Sequence, residues 1–396
     1  MKETIRKVLC LLTAVALLLA AGCAAQKTEP EQPAEQTVVS DVEEQVPEQV
    51  PAAEEPVSSG THIITDQLGL EVEVPDRIDR IAVCNIYPLP SVLAIFFDSA
   101  DKIVGIPSQS MAPAKAGLLG KLYPELLNAE TGYIDGTSVN VEELALLEPD
   151  VVFYSTLNPE IGEQISRVGI PAVAISASGQ DYDAIETLKS WIGLLGQMFP
   201  ENDRYSTVEA FSEKVRALVE ERVASVPEEE RARDFFLFQY TDTNLLTSGK
   251  KFFGQWWADA TGAVNVASEL DQNNSVPVGM EQVYAWDPSV IFITNFTTVT
   301  PDDLYSGNVR DDWSEVSAVK NHRVYKMPLG MYRSYTAGVD TPVTLLWIAK
   351  TTYPELFADI DITAEARQYY SDVFGISLTD EQLNSIFSPV TSETGF

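Results

Sequence analysis

Residues 183–226 read DAIETLKSWIGLLGQMFPENDRYSTVEAFSEKVRALVEERVASV, and this stretch decides the fold. Leu188, Ile192, Leu195 and Phe199 recur at helical spacing, as do Phe211, Val215, Leu218 and Val219. Pro200 is one interruption, and no strand pattern fits anywhere in the stretch. The rhythm on both sides is different. Upstream, residues 80–85 (RIAVCN), 102–106 (KIVGI), 150–154 (DVVFY) and 171–175 are short apolar runs suited to buried parallel strands. Helical runs at 91–99, 141–147 and 159–168 fall between them. Downstream, 234–240 (DFFLFQY), 289–294 (SVIFIT) and 323–327 (RVYKM) read as strands, with helices at 254–261, 280–286 and 340–352. Two strand runs, 61–65 and 70–74, flank the turn Asp66-Gln67-Leu68-Gly69 ahead of the first unit. Such alternation signals α/β units on a mainly parallel sheet. The pattern predicts two α/β halves with one long helical segment between them. A stiff link allows only slight closure, and a cleft between two such halves is a usual place for a small ligand.

The composition narrows the function. The chain has 396 residues, 45% of them hydrophobic, which allows two domains with real cores. Its formal net charge of -33 argues against nucleic acid, whose phosphates need Lys and Arg, and against anionic lipid head groups. There are two histidines, His62 and His322, and three cysteines, Cys10, Cys23 and Cys84. That is too few ligands for a His/Cys zinc site and no framework for disulfides. Cys84 lies in an apolar strand run and reads as a small buried hydrophobe. The Gly-x-Ser-x-Gly, phosphate-loop and His-Glu-x-x-His patterns are all absent, so no catalytic residue, metal site or cofactor is assigned and no enzyme is expected.

The N-terminus carries an address. Lys2, Arg6 and Lys7 precede an apolar run from 8 to 21, and Gly22-Cys23 follows. The run is too short for the roughly 20 residues a membrane-spanning helix needs. It resembles a bacterial lipobox, with Ala20 where an aliphatic residue is usual and Leu19 one step earlier. Residues 1–22 then read as a lipoprotein signal peptide and Cys23 as the lipidated residue, each acyl CH₂ adding about 0.8 kcal/mol of membrane affinity. An ordinary secretory cut, with Cys23 incidental, is the alternative. Residues 23–60 are rich in Glu, Pro and Gln without an aromatic, a composition that cannot bury enough apolar surface to fold, and read as an acidic stalk. The expected location is extracytoplasmic, held to the cell membrane by lipid.

The body, roughly residues 61–360, resembles the iron-complex and cobalamin substrate-binding proteins of ABC importers. ITDQLGLEVEVPDRIDRIAV (64–83) is similar to that family's opening hairpin and first strand, and SVLAIFFDSADKIVGI (91–106) to its first helix and second strand. VNVEELALLEPDVVF (139–153) resembles its Asn-x-Glu helix and strand. WSEVSAVKNHRVYKMP (313–328) and WIAKTTYPELF (347–357) resemble its closing segments, and FGISLTDEQL (374–383) an extension found in one branch. The resemblance implies the type III periplasmic-binding-protein fold: two Rossmann-like lobes, 61–182 and 231–360, joined by a single long backbone helix within 183–230. The binding domain would span about 79–360, with a helical extension at 361–396. It implies a monomer that captures a metal complex and delivers it to an ABC permease and its ATPase. Ferric siderophore is the expected ligand, with cobalamin or haem as alternatives. A lipoprotein that hands its ligand to a neighbouring protein, or an unrecognised enzyme, remains a reading of another class.

Within that frame, Glu142 and Glu281 are the permease-docking candidates. They occupy matching places in VEELALLEPDVVF (141–153) and MEQVYAWDPSVIF (280–292). A glutamate near a helix start also simply favours the helix dipole. Ligand-binding residues are expected on loops after the strands. Tyr87 and Tyr154 are the first-lobe candidates, with Ser108 and Gln109 weaker. Tyr240, Lys250, Phe252 and Asn295 are candidates in the second lobe, with the Met331-Tyr332-Arg333 group of PLGMYRSYTAG (328–338). Aromatic rings would pack the broad face of a chelate while Arg333 offers a fork of donors to its oxygens. The competing reading for each tyrosine is that it closes its own lobe's core. Haem would need an axial residue, for which Tyr332 or Met331 would serve.

Overall fold

A computed structural model describes residues 60–272 and 275–389; the signal segment, Cys23 and the acidic stalk up to residue 59 lie outside the described residues. The body opens with the hairpin β1 (Thr61–Thr65) and β2 (Glu71–Pro75). Asp66 shapes its turn, Oδ1 accepting from the Leu68 and Leu70 amides at 2.9 Å. Its Oδ2 accepts from the Ala174 amide at 3.1 Å, which fastens the hairpin to the first lobe.

The first lobe comprises β3 (Ile81–Val83), α1 (Leu89–Phe97), β4 (Ile103–Gly105), α2 (Ser108–Ala116), α3 (Leu119–Leu122), the small hairpin β5 (Ile134–Asp135) and β6 (Ser138–Val139), α4 (Val141–Ala145), β7 (Val151–Ser155), α5 (Pro159–Arg167) and β8 (Ala172–Ile175). Its sheet is parallel, in the order β4-β3-β7-β8. The linking stretch holds α6 (Ala184–Met198) and α7 (Tyr205–Val223). The second lobe contains β9 (Arg233–Tyr240), β10 (Leu245–Thr247), α8 (Phe253–Ala260), β11 (Val264–Asn265), β12 (Val276–Pro277), α9 (Met280–Trp286), β13 (Val290–Ile293), α10 (Pro301–Ser306), α11 (Ser317–Lys320), β14 (Val324–Lys326) and α12 (Thr341–Thr352). Its sheet runs β12-β10-β9-β13-β14 with β11 beside β9. The core strands β9, β13 and β14 are parallel, and β10 is antiparallel to both neighbours. Two more helices follow, α13 (Ile362–Tyr369) and α14 (Asp380–Phe387), separated by one π-helical turn at Tyr370–Phe374.

The fold is the expected α/β architecture of two Rossmann-like lobes. The helical link, however, is two helices and not one rod. Phe199 leaves helical geometry at φ -135, ψ 67, and Pro200 has no N–H to continue the ladder. The Asp203 carboxylate then accepts from the Tyr205 amide at 2.8 Å as α7 starts. The two helices are tied by ions: Lys189 of α6 reaches Glu213 of α7 at 3.0 Å, and Arg216 of α7 reaches Asp183 at 3.0 Å.

Strand periodicity sorts the core. On β7, Val151 and Phe153 enter the main core, while Val152 and Tyr154 join a smaller cluster with Ala82 and Cys84. Cys84 is fully buried, and burial pushes its thiol up to about 12. The main core is continuous from the first lobe through α6 and α7 into the second lobe and the last two helices. Each fully buried Leu, Ile or Phe in it contributes about 1.5–3 kcal/mol over an exposed one.

Candidate ligand-binding cleft

A cavity of about 320 Å³ opens where strands of both lobes end. The first lobe supplies Asn85 to Pro88 after β3, Ser155 and Leu157 at the end of β7, and Ser178 and Tyr182 after β8. The second lobe supplies Phe238 of β9, Phe252 and Phe253 at the start of α8, Phe296 after β13, and Arg333 and Thr336 after β14. Strand C-terminal ends are where ligands bind in open α/β sheets, because helix N-termini gather there. Here Pro88 caps α1, Phe252 caps α8, and Leu157 precedes the cap of α5.

The walls differ. In the second lobe, Phe238 and Phe296 lie 4.9 Å apart and Phe252 and Phe253 5.1 Å apart. Tyr182 crosses from the start of the link to pack on Phe252 at 5.2 Å and Phe253 at 5.3 Å. Each such pair contributes about 0.5–1.5 kcal/mol beyond its area. Tyr182 has φ 63 and its neighbour Asp181 φ 50, a left-handed geometry uncommon for either residue. The first-lobe side, with Trp191 of α6, mixes apolar Ile86, Leu157 and Trp191 with the polar groups of Asn85, Gln109, Ser155 and Ser178. Asn85, at φ 46, accepts from the Ser155 amide at 3.1 Å and donates to Asn158 Oδ1 at 2.6 Å. Burial raises the Tyr87 and Tyr182 hydroxyls above their ordinary range, so both remain donors at neutral pH.

Arg333 joins the walls and is 1% exposed. Its Nε donates to the Asn295 carbonyl at 3.1 Å, and Nη1 donates to Tyr332 Oη and to the Gln109 carbonyl of the first lobe, both at 3.3 Å. The guanidinium sits over Phe296 at 4.7 Å and Tyr332 at 5.7 Å. Among the described residues it is the one charged side chain lining the cavity.

Of the sequence candidates, Tyr87, Phe252, Arg333 and Gln109 line the cavity. Asn295 and Tyr332 lie buried behind Arg333, holding it. Four others are elsewhere. Tyr154 points to the outer face of β7, against Gly162 of α5, and its neighbour Ser155 reaches the cavity because the strand ends one residue later than expected. Tyr240 is turned away by a bulge. The β9–β10 register passes from Gln239↔Leu246 to Leu237↔Thr247, leaving Phe238 extra and reversing the alternation beyond it. Tyr240 then packs on Trp313 and donates to Asp311 Oδ2 at 2.8 Å. Lys250 is exposed, its backbone amide bound to the Leu270 carbonyl. Ser108 is exposed at the start of α2, where the sequence reading has a loop. Sequence reasoning misses the rest of the lining, including Asn85, Ser155, Ser178, Tyr182, Trp191, Phe238, Phe253, Phe296 and Thr336. Asn85 carried one usable sign, a polar residue ending an apolar strand run. Glu142 and Glu281 are both exposed and both the second residue of a short helix, α4 and α9.

Residues 90–329 match the periplasmic binding protein family. The chain belongs to that family. The binding protein is 30% identical over 341 residues to the molybdate-binding protein MolA of Haemophilus influenzae, covering 80% of this chain and 91% of the relative. The crystal structure of MolA with molybdate superposes with a TM-score of 0.66, at 29% identity, covering 80% of this chain and 99% of that one. A periplasmic solute-binding protein of Veillonella parvula superposes with a TM-score of 0.73, at 30% identity, covering 85% and 100%. The binding protein is therefore the extracytoplasmic substrate-binding component of an ABC transporter, working with a permease and its ATPase. Its relatives are solute-binding proteins and not enzymes. No helix among the described residues is long and apolar enough to cross a membrane, and no cluster of His, Cys, Asp or Glu there is placed to hold a metal ion.

Proposed function

We propose that the cleft captures a small oxyanion of the molybdate class and delivers it to the permease. The observation that carries this is Arg333, a buried cation that lines a cavity of about 320 Å³ and is the one charged side chain there among the described residues. Around it stand hydroxyl and amide groups, Tyr87, Tyr182, Ser155, Ser178, Thr336 and Asn85, and the N-terminal ends of α1 and α8. Both features favour negative charge. The cavity volume is at the low end for organic ligands, which fits a compact ion. MolA, at 30% identity, is a molybdate-binding protein, which supports the same choice.

The aromatic wall favours a second reading, an anionic iron chelate such as a ferric siderophore, whose flat organic face would pack on Phe238, Phe252 and Phe296. Cobalamin and haem would use the same wall; for haem, Tyr87 and Tyr182 are lining side chains that offer an axial oxygen. Calorimetric titration of the purified protein with molybdate, tungstate, sulfate, a ferric catecholate, cobalamin and haemin separates these readings. Saturable molybdate or tungstate binding near or below micromolar, with no response to the organic complexes, is expected. Binding of a ferric chelate alone would replace the oxyanion with the second reading.

Lipidation at Cys23 and docking through Glu142 and Glu281 complete the proposal. Cys23→Ser should release the protein from membranes into the medium. Changing both glutamates to Ala should abolish uptake while leaving ligand affinity within twofold; a parallel loss of affinity would sink the docking role.

A further inference from the structure

The loop after β14 brings Arg333 and Thr336 to the cavity, yet few of its anchors lie in the cleft. Met331 N–H donates to Asp340 Oδ2 at 2.9 Å. The other oxygen, Asp340 Oδ1, accepts from the Tyr370 hydroxyl, which belongs to the π-helical turn after α13. Tyr369 beside it donates to the Val339 carbonyl at 2.6 Å. From α14, the Ile386 carbonyl accepts from the Leu329 amide at 2.9 Å. The loop folds back on itself in an antiparallel bridge between Leu329 and Arg333, so the anchor at Leu329 lies directly across from the arginine. Asp340 and Tyr370 are buried at 6% and 1% exposure. The fit is close: a Cβ on Gly330 would lie 2.1 Å from Asp340 Oδ1, so only glycine lets the loop approach this carboxylate. The loop's other face meets the first lobe, where a Cβ on Gly117 would come within 3.1 Å of the Gly330 carbonyl.

We propose that the C-terminal helices are part of the binding machinery: Tyr370, acting through Asp340, is a positioning residue that holds the 328–339 loop so that Arg333 meets an anionic ligand already oriented. This rests on the reading of the cleft as an anion site. A buried carboxylate with both oxygens occupied ties the Met331 amide to Tyr370, which lies 30 residues beyond Asp340 in sequence, and the loop that ends at Asp340 carries the arginine. Without Tyr370 Oη the loop keeps its apolar packing and the backbone bonds to Asp340 but loses the one side-chain hydrogen bond that this carboxylate accepts among the described residues. Arg333 then samples more than one orientation, and part of the binding free energy goes into ordering it.

The test uses the purified protein, molybdate as probe, and hydrogen exchange of segment 328–339. Tyr370→Phe should raise the molybdate Kd about tenfold, the worth of one hydrogen bond to a buried charged group. It should also speed amide exchange in 328–339 more than elsewhere. The deciding measurement is a double-mutant cycle. Acting through the arginine, Tyr370→Phe should weaken binding no further once Arg333→Gln is present; a purely structural contribution would weaken both backgrounds equally and overturn the proposal. Where the doubly changed protein binds too weakly to titrate, the exchange rates decide: protection of 328–339 unchanged by Tyr370→Phe overturns it. Asp340→Asn, close in shape, provides a second variant with the same expected direction. A wild-type protein that binds no molybdate, or an Arg333→Gln variant that binds it normally, overturns the anion reading and not the loop restraint, which the exchange arm still decides.

Discussion

The two walls of the cleft differ in where their polar groups lie. The first-lobe wall carries most of the cleft's hydroxyl and amide groups beside apolar members such as Ile86 and Leu157, and Asn85, one of the polar ones, is held by bonds to Ser155 and Asn158 where the strands run out. The second-lobe wall is an outcrop of the main core: Phe238, Phe253 and Phe296 are buried members of the same cluster that fills the space between the lobes. Both walls are tied to the fold, one through the Asn85 hydrogen bonds at the strand ends and the other through the aromatic cluster. Arg333 belongs to both, because it takes carbonyls from Asn295 and Gln109. Charge selection would then rest on the junction and size selection on the aromatic side.

The largest effect should follow from removing the junction. Arg333→Gln should weaken oxyanion binding roughly 100-fold, as expected for truncating a buried charged partner. Calorimetry reads this directly. A loss below threefold would mean that the polar wall and helix termini carry the anion alone.

Phe252→Ala attacks the aromatic wall and gives the comparison a sharp edge. Half-buried, Phe252 should contribute on the order of 1–2 kcal/mol to stability, seen as a lower midpoint in urea. Molybdate affinity should move less than threefold. A flat chelate would instead lose about tenfold, the equivalent of one aromatic contact. A large oxyanion penalty would show that the walls are not separable.

On the polar side, Asn85→Ala loses two hydrogen bonds and places an alanine in the left-handed region. About 1–2 kcal/mol of stability should go with them. Oxyanion affinity should fall by severalfold as the Ser155 segment loosens. An unchanged Kd would make this wall passive.

Much of this was legible in the residues and some was not. The strand runs at 80–85, 150–154, 234–240 and 289–294 were readable because buried parallel strands are nearly continuous apolar sequence. Pro200 marked where the link breaks, although sequence alone does not say whether a proline bends a helix or ends it. The site was legible where chemistry is rare. A lone arginine in a glycine- and aromatic-rich loop stood out, and it lines the cavity. The tyrosines misled, because their facing depends on single-residue register. One extra residue at Phe238 sends Tyr240 to the outer core, and one more strand residue puts Ser155 in the cleft in place of Tyr154. Neither leaves a mark in composition or spacing. Tyr182 was invisible for another reason: its reach across to Phe252 depends on two consecutive left-handed residues that no propensity foretells.

The smallest predicted effect separates binding from folding along a single strand. The C-terminal part of β9 places Phe238 in the cleft, while near its start Asp234 is fully buried beside the Thr352 hydroxyl and Arg323. Burial pushes its carboxyl up from 3.8 to about 7, with nearby Arg323 and the Thr352 hydroxyl opposing the shift. The folded chain therefore holds this proton where the unfolded chain has released it. The resulting stability is fully present below the unfolded value of 3.8 and is lost as pH rises toward 7. At about 1.36 kcal/mol per unit the loss at pH 8 has an upper bound of a few kcal/mol. Asp234→Asn removes the titration, but it buries an amide NH₂ in place of a carboxyl oxygen, and an unsatisfied buried donor costs about 1–3 kcal/mol in return. The net gain at pH 8 should be on the order of 1 kcal/mol and should shrink, then reverse, as pH falls toward 4. Urea unfolding at pH 4, 6 and 8 measures it. The molybdate Kd should not move at pH 8, since Asp234 lies toward the other end of the strand from the aromatic wall. A gain that does not vary with pH would show that Asp234 is ionised throughout, with its charge compensated by Arg323. A shifted Kd would mean that strain at the base of β9 reaches the cleft.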